Sequence, residues 1–187
     1  MIEAVILDFG GVVFKNKPKE TWAGIKETLN VDPKHWDDAG LGLVNDVQLF
    51  NEIGETYKVD GETIKEWLFS RREANTELFT LLHQLKPEIK LAILNNGLKT
   101  LFHGYLDKYN LKEEFDVLIN SAEEGVKKPD PRIYLKTCER LGVKPEKCVF
   151  IDDDQKNLEG AEKVGMKSLF FTNVETLEEE FEKLGLV

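Results

Sequence analysis

Five short apolar runs, at positions 4–7, 91–94, 117–119, 149–151 and 168–171, constrain this chain more than any other feature. Each is too short for an ordinary helix and too uniformly apolar for a strand with one wet face, so each reads as a strand covered on both sides. Strands of that kind belong to parallel sheets, whose connections cross over through helices. The intervening segments carry the matching signal. Ile133, Leu135, Cys138 and Leu141 form an apolar stripe before Gly142, and Leu158, Ala161 and Val164 do so before Gly165, glycine being common just past a helix end. The last segment opens with Thr176-Leu177-Glu178-Glu179, a hydroxyl-to-acid capping pattern. Leu177, Phe181 and Leu184 give it one apolar face, with Glu178 to Glu180 on the solvated side. The sequence therefore predicts an α/β fold around a mainly parallel sheet.

One stretch breaks the alternation. From about residue 18 to 72 the chain shows helical period and no strand signal, although the first strand precedes it and the second follows it. Trp22, Ile25 and Leu29 fit one helical face, Val47, Phe50, Ile53, Gly54 and Tyr57 another, and Ile64, Trp67 and Leu68 a third. The expected organisation is a core from residues 1–16 and 76–187, with a small helical cap inserted over 17–75. A length of 187 residues suits one domain with a modest insertion. No repeat or low-complexity linker separates the two parts, so the cap is expected to pack on the core.

Charge argues against whole classes of partner. With 25 Lys and Arg against 35 Asp and Glu, a formal net charge of -10 repels a phosphate backbone, and no nucleic-acid partner is expected. The first apolar run is stopped by Asp8, and no later run approaches the roughly 18 residues of a membrane span. Without a leader pattern at Met1 either, the expectation is a soluble cytoplasmic protein with no membrane partner. Cys138 and Cys148 stand in neither metal nor redox spacing and read as reduced core thiols.

In an open parallel sheet, ligands bind beyond the carboxyl ends of the strands, so polar residues directly after apolar runs are the candidates. Four runs end this way: in Asp8-Phe9-Gly10-Gly11, Asn95-Asn96-Gly97, Asn120-Ser121 and Asp152-Asp153-Asp154. Asp8 before a Gly-Gly turn fits a nucleophile whose flanking amides approach an anion closely; alone it reads equally well as a turn cap. Asp152, Asp153 and Asp154 repel one another unless protonated, solvated or bound to a cation, and a hard oxygen-preferring ion such as Mg²⁺ relieves them. Asn95-Asn96-Gly97 reads as a tight turn or as a set of donors for phosphate oxygens. Lys127-Lys128-Pro129-Asp130-Pro131 sets cations beside a proline-stiffened helix start. Competing chemistries lack material. His35, His83 and His103 fall in helical segments away from strand ends, and Gly40-Leu41-Gly42 follows no strand.

Taken in order, these sites resemble the haloacid dehalogenase-like superfamily, most of whose members are aspartate-nucleophile phosphatases. Residues 4–13 look like its first motif, 91–97 its second, 121–131 its lysine-bearing third and 148–157 its fourth, followed by Gly160-Ala161 and Gly165-Met166. The resemblance spans nearly the whole chain. It implies a Rossmann-like, three-layer core with a five-stranded sheet, and an insert after the first motif similar to the small cap of one subclass. It also implies a Mg²⁺-dependent phosphatase of a small phosphorylated metabolite. Asp8 would form an aspartyl-phosphate and Lys128 would neutralise charge beside it. Asp8, the Gly10 carbonyl and Asp153 would hold Mg²⁺, with Asp152 a supporting or secondary ligand at best. Asn95, Asn96, Gly97 and Gly11 would bind phosphate. Two positions depart from the pattern. The family's phosphatases place a second Asp, the general acid, two residues after the nucleophile, where this chain has Gly10; such an acid is typically worth roughly 10² to 10⁴ in rate. Gly10→Asp is accordingly expected to raise turnover. The usual Ser or Thr of the second motif is Asn95. A metal-independent 2-haloacid dehalogenase and a catalytically lapsed ligand- or protein-binding member remain the alternatives.

Overall fold

The computed structural model describes residues 1–16 and 27–187. In chain order its first elements are β1 (Ala4–Leu7), β2 (Phe14–Asn16), α1 (Pro33–Gly40), α2 (Asp46–Tyr57), α3 (Gly61–Phe69) and β3 (Arg72–Ala74). There follow α4 (Thr76–Leu82), β4 (Lys90–Asn95), α5 (Lys99–Lys108), β5 (Val117–Asn120), α6 (Ser121–Glu124) and α7 (Pro131–Leu141). The chain closes with β6 (Cys148–Asp152), α8 (Gln155–Glu162), β7 (Lys167–Phe170) and α9 (Val174–Leu184).

The five apolar runs form one parallel sheet of order β5-β4-β1-β6-β7. After β1 the chain goes to β4 on one side and returns later to β6 on the other, so the point where strand order reverses lies at the carboxyl end of β1. Register fixes what meets there. Leu7 is level with Ile93 of β4 and Ile151 of β6, so Asp8 emerges beside the ends of both neighbours.

The alternation of side chains along β1 divides the core into two layers. Val5 and Leu7 join Ile93, Val149 and Ile151 under Leu78 of α4, Phe102 of α5 and Phe181 of α9. Ala4 and Ile6 join Ala92, Leu94 and Phe150 under Ile133 and Tyr134 of α7 and Leu158 of α8. The sheet is thus covered on both faces, most completely at β1 and β6, which are wholly buried, whereas the edge strand β7 carries Ser168 and leaves Phe170 exposed. Cys138 and Cys148 are buried thiols in the second layer, their sulfurs 3.6 Å apart.

Three details differ from the sequence reading. The buried face of α7 runs through Ile133, Tyr134, Thr137, Cys138 and Leu141, whereas Leu135 is exposed, because the sheet lies about one residue around the helix from the stripe that includes it. Helix α9 is capped by Asn173, which accepts from Thr176 N at 2.8 Å, so the chain becomes helical before the expected Thr176 cap. The third is a strand pair that hydropathy did not signal: β2 and β3 pair antiparallel, with Phe14 opposite Ala74 and Asn16 opposite Arg72.

Between β2 and β3 lie α1, α2 and α3, the described part of the expected insertion; residues 17–26, with Trp22 and Ile25, lie outside the described residues. Leu29, Trp36, Phe50, Ile53, Ile64 and Leu68 are buried in the layer that also holds α5, while Val47 and Tyr57 are exposed. Among the described residues no helix is long and apolar enough to cross a membrane.

Candidate active site

Asp8 leaves β1 with its amide donating to Ile151 O at 2.8 Å, which ties the start of the turn to β6. The turn then reverses tightly: Phe14 N donates to Phe9 O and Gly11 N to Phe14 O, both at 2.8 Å. Gly11 has φ +101, and a Cβ there would lie 2.0 Å from Oδ2 of Asp153. Only glycine lets the third carboxylate approach this turn. At the end of β6, Asp154 caps α8 by accepting from Lys156 N at 2.9 Å. Lys128 is placed by α7, whose N-cap Asp130 accepts from Arg132 N at 2.9 Å and whose first residue is Pro131.

These elements converge on one ion network. The Lys128 ammonium, almost wholly buried, donates to Asp8 Oδ1 at 2.5 Å and to Asp152 Oδ2 at 2.7 Å. Asp152 also accepts from Asp154 N at 2.8 Å and from Asn157 Nδ2 at 3.0 and 3.2 Å, so its carboxylate is saturated by the protein. Asp152 is fully buried and Asp153 is exposed. Burial, the strongest influence, pushes Asp8 up to about 7 against the pull of Lys128, and Asp152 and Asp153 add to the rise. Although the residue is exposed, partial desolvation of its carboxyl raises Asp153, with Asp152 adding to it. Burial opposes the Lys128 charge, yet Asp8 and Asp152 hold it above the ordinary lysine value. The cluster is short of positive charge.

Asp8, Asp152 and Asp153 each offer a carboxylate oxygen within 4.8 Å of the others. An all-oxygen donor set of this kind fits Mg²⁺, and because Asp152 is committed to Lys128 and Asn157, Asp8 and Asp153 are the carboxylates left to hold it.

The amides expected to bind phosphate have other partners here. Asn96 clamps the Lys128 backbone at both ends: its Oδ1 accepts from Lys128 N and its Nδ2 donates to Lys128 O, each at 2.9 Å. Asn95 donates from Nδ2 to Asn120 Oδ1 at 2.9 Å, bracing β4 against β5. Gly97 N donates to Ser121 Oγ at 3.0 Å, and Ser121 Oγ donates on to Gly40 O at 2.5 Å. The Gly11 amide is held by Phe14, as described. Beside them a cavity of about 270 Å³ is lined by Trp36, Asn96, Gly97, Lys127, Lys128 and Lys156 among others. A larger hollow of about 610 Å³, lined by residues of α3 and α5, borders none of the three carboxylates.

Sequence reasoning missed Asn157 and Ser121 as bracing groups, and above all Arg72. A Cβ on Gly10 would lie 2.4 Å and 2.5 Å from the two Nη atoms of Arg72, so this guanidinium stands where a side chain on residue 10 would project. This changes the expectation for Gly10→Asp, which would have to displace or pair with Arg72. Burial pulls Arg72 below its ordinary value, and Tyr105, Asp8 and Asp153 pull it back. No motif spacing marks Arg72; only the pairing of β3 with β2 brings it to Asp8.

A sequence profile of a hydrolase family, the haloacid dehalogenase-like hydrolases, matches residues 2–165. Flavin mononucleotide hydrolase 1 of Arabidopsis thaliana is 28% identical over 159 residues, 82% of this chain and 63% of that one. A phosphorylated carbohydrates phosphatase of Thermotoga maritima is 26% identical over 182 residues, 90% of this chain and 84% of that one. The chain spans 34% to 63% of the length of the first curated relatives it matches. Among solved structures, a HAD family enzyme of Bacteroides thetaiotaomicron, in complex with magnesium and inorganic phosphate, superposes with a TM-score of 0.77 at 21% identity. That superposition covers 92% of this chain and 95% of the other, and the likeness is one of fold.

Proposed function

The chain belongs to the haloacid dehalogenase-like hydrolase family, and from that premise we propose that it is a Mg²⁺-dependent phosphatase of a small phosphorylated compound. The observation that carries this reading is the buried ammonium of Lys128 locked between Asp8 and Asp152, with Asp153 beside them. A carboxylate held against a fixed cation at a strand end is an oriented nucleophile. The relatives named for phosphate hydrolysis support a phosphorylated substrate.

In this reading Asp8 attacks phosphorus, the bond to the leaving oxygen breaks, and an aspartyl-phosphate forms. Water then attacks that phosphorus and restores Asp8. Lys128 orients the nucleophile and offsets charge on the phosphoryl group, while Asp152 and Asn96 hold Lys128 in place through its ammonium and its backbone. Three carboxylates already outnumber the two cations Lys128 and Arg72, and a phosphoryl dianion widens that deficit. Asp8, Asp153 and the Gly10 carbonyl would hold Mg²⁺, which when bound would supply the offsetting charge.

The described part of the insertion, residues 27–75, acts in this proposal as a cap over the site. Supporting it, Asp46 of α2 accepts from Thr100 N at 2.6 Å and Thr100 Oγ1 at 2.8 Å, and Asp37 of α1 pairs with Lys127 at 2.9 Å. The cavity of about 270 Å³ lined by Trp36 and the site lysines suits part of a small anionic substrate.

Phosphate release from 4-nitrophenyl phosphate, with and without Mg²⁺, tests the reading. Wild type should release phosphate only with the metal, and Asp8→Asn should release none. A folded wild type inactive under both conditions would overturn the proposal.

A further inference from the structure

A phosphoryl transfer leaves negative charge on the departing oxygen, and among the described residues Asp152, the two buried tyrosines and the histidines are committed elsewhere. Asp152 is held by Lys128, Asn157 and the Asp154 amide. Tyr134 donates its hydroxyl to Asn157 O at 2.7 Å, and Tyr105 donates to Phe69 O at 3.0 Å. Each histidine faces a glutamate elsewhere: His35 Glu52, His83 Glu114 and His103 Glu123.

Arg72 stands in the gap. Its Cζ and both Nη atoms lie within 2.7 Å of where a Cβ on Gly10 would be, two residues beyond the nucleophile. Both Asp8 and Asp153 act on its charge. It also borders a cleft of only about 20 Å³, where Phe9, Phe102 and Tyr105 meet the polar Asn95, Asn96 and Gly97. A cleft that small leaves little room for water, and a fixed cation is worth most where water is excluded.

We propose that Arg72 stabilises the leaving oxygen during transfer to Asp8, so that the enzyme favours phosphate esters with acidic leaving groups; this rests on the phosphatase reading above. As the phosphorus–oxygen bond breaks, its electron pair goes to the leaving oxygen, which accepts hydrogen bonds from the guanidinium. Arg72 keeps its proton, since guanidinium does not ionise at working pH. The leaving oxygen takes its proton from water, and water also supplies the hydroxyl that ends on the released phosphate. Stabilisation without proton transfer leaves the rate dependent on leaving-group acidity. Phenolic, enolic, hemiacetal or acyl phosphates are therefore the substrate class, ahead of primary alkyl phosphates. Gly10 follows from the same geometry, because a side chain there would displace the guanidinium.

The test is a series of substituted phenyl phosphates of rising phenol pKa, plus one primary alkyl phosphate, at saturating Mg²⁺. Wild type, Arg72→Ala and Arg72→Lys are compared after thermal unfolding has confirmed that each is folded. Arg72→Ala should steepen the plot of log kcat/KM against leaving-group pKa. It should lose under about tenfold on the most acidic leaving group and about 10² to 10³ on unsubstituted phenyl phosphate, mainly in kcat. Arg72→Lys should recover part, having the charge without the fork. Gly10→Asp in the wild-type background should gain nothing, whereas adding it to Arg72→Ala should restore rate on poor leaving groups; this pair decides if Arg72→Lys is unfolded. A uniform loss carried in KM with an unchanged slope, or a gain from Gly10→Asp alone, overturns the role of Arg72 and leaves the phosphatase reading standing. A wild type that turns over no ester in the series overturns both.

Discussion

Asp152 and Asp153 are neighbours in the chain, yet one is fully buried and the other exposed, because consecutive residues at a strand end point to opposite sides. Asp152 takes hydrogen bonds from Lys128, Asn157 and Asp154, so removing it takes one of two carboxylates from a buried ammonium and leaves the Asn157 and Asp154 donors unmatched. Asp152→Ala should therefore destabilise the fold by roughly 3–5 kcal/mol, the usual range for breaking a buried ion pair from one side. Asp153→Asn keeps the side-chain volume and removes a carboxylate whose ionisation is already opposed by partial desolvation and by Asp152, so its stability should stay within about 1 kcal/mol of wild type. Urea unfolding of the two variants checks the contrast, and equal losses would contradict the division of labour drawn here. Asn96 makes a related point. Its amide reads from sequence as a phosphate donor, but in the fold it clamps the Lys128 backbone, a contact spanning 32 positions that no local pattern signals.

At the level of elements, the contact between α2 and α5 is a helix cap supplied from outside the helix. Leu98 at the N-cap of α5 has no side chain able to accept a hydrogen bond, and Asp46 provides the acceptor for Thr100 N instead. Asp46→Ala should cost about 1–2 kcal/mol, as loss of a good N-cap does. It should also speed amide exchange in α2 and at the start of α5, with unchanged exchange pointing to a tether of no energetic weight. Asp46→Asn, which keeps one acceptor, should lie between. The elements themselves were legible unequally. The inner sheet strands show in the sequence because burial on both faces demands unbroken apolar runs, as in β1 and β6; the edge strand β7 is only partly buried. Strand β3, Arg72–Ala74, does not show: it is short and polar, and it is a strand only because β2 lies beside it. Helix faces were legible except where, as at Leu135 and Val47, an apolar residue falls just off the buried stripe.

Across the whole molecule, the site sets three carboxylates against the two cations Lys128 and Arg72, so a metal bound there would be a stability term. A ligand that binds only the folded state at a hundred times its Kd adds about 2.7 kcal/mol. For a domain of this size each kcal/mol is worth roughly 2–4 °C in Tm. Mg²⁺ should therefore raise Tm by several degrees in wild type, EDTA should reverse the rise, and Asp153→Asn should abolish it. A shift of equal size in that variant would place the metal elsewhere. The sequence by itself determined the parallel sheet and the strand ends where polar groups gather, because burial periodicity and the change from apolar to polar are written locally; Lys128 joined Asp8, Asp152 and Asp153 only through the resemblance to the haloacid dehalogenase-like superfamily. Tertiary structure alone decided which carboxylate Lys128 saturates, which amides brace the loops, and that Arg72 rather than an acid stands over Gly10. Those outcomes depend on register and on a two-stranded pairing between distant segments, and a linear pattern carries no information about such distances.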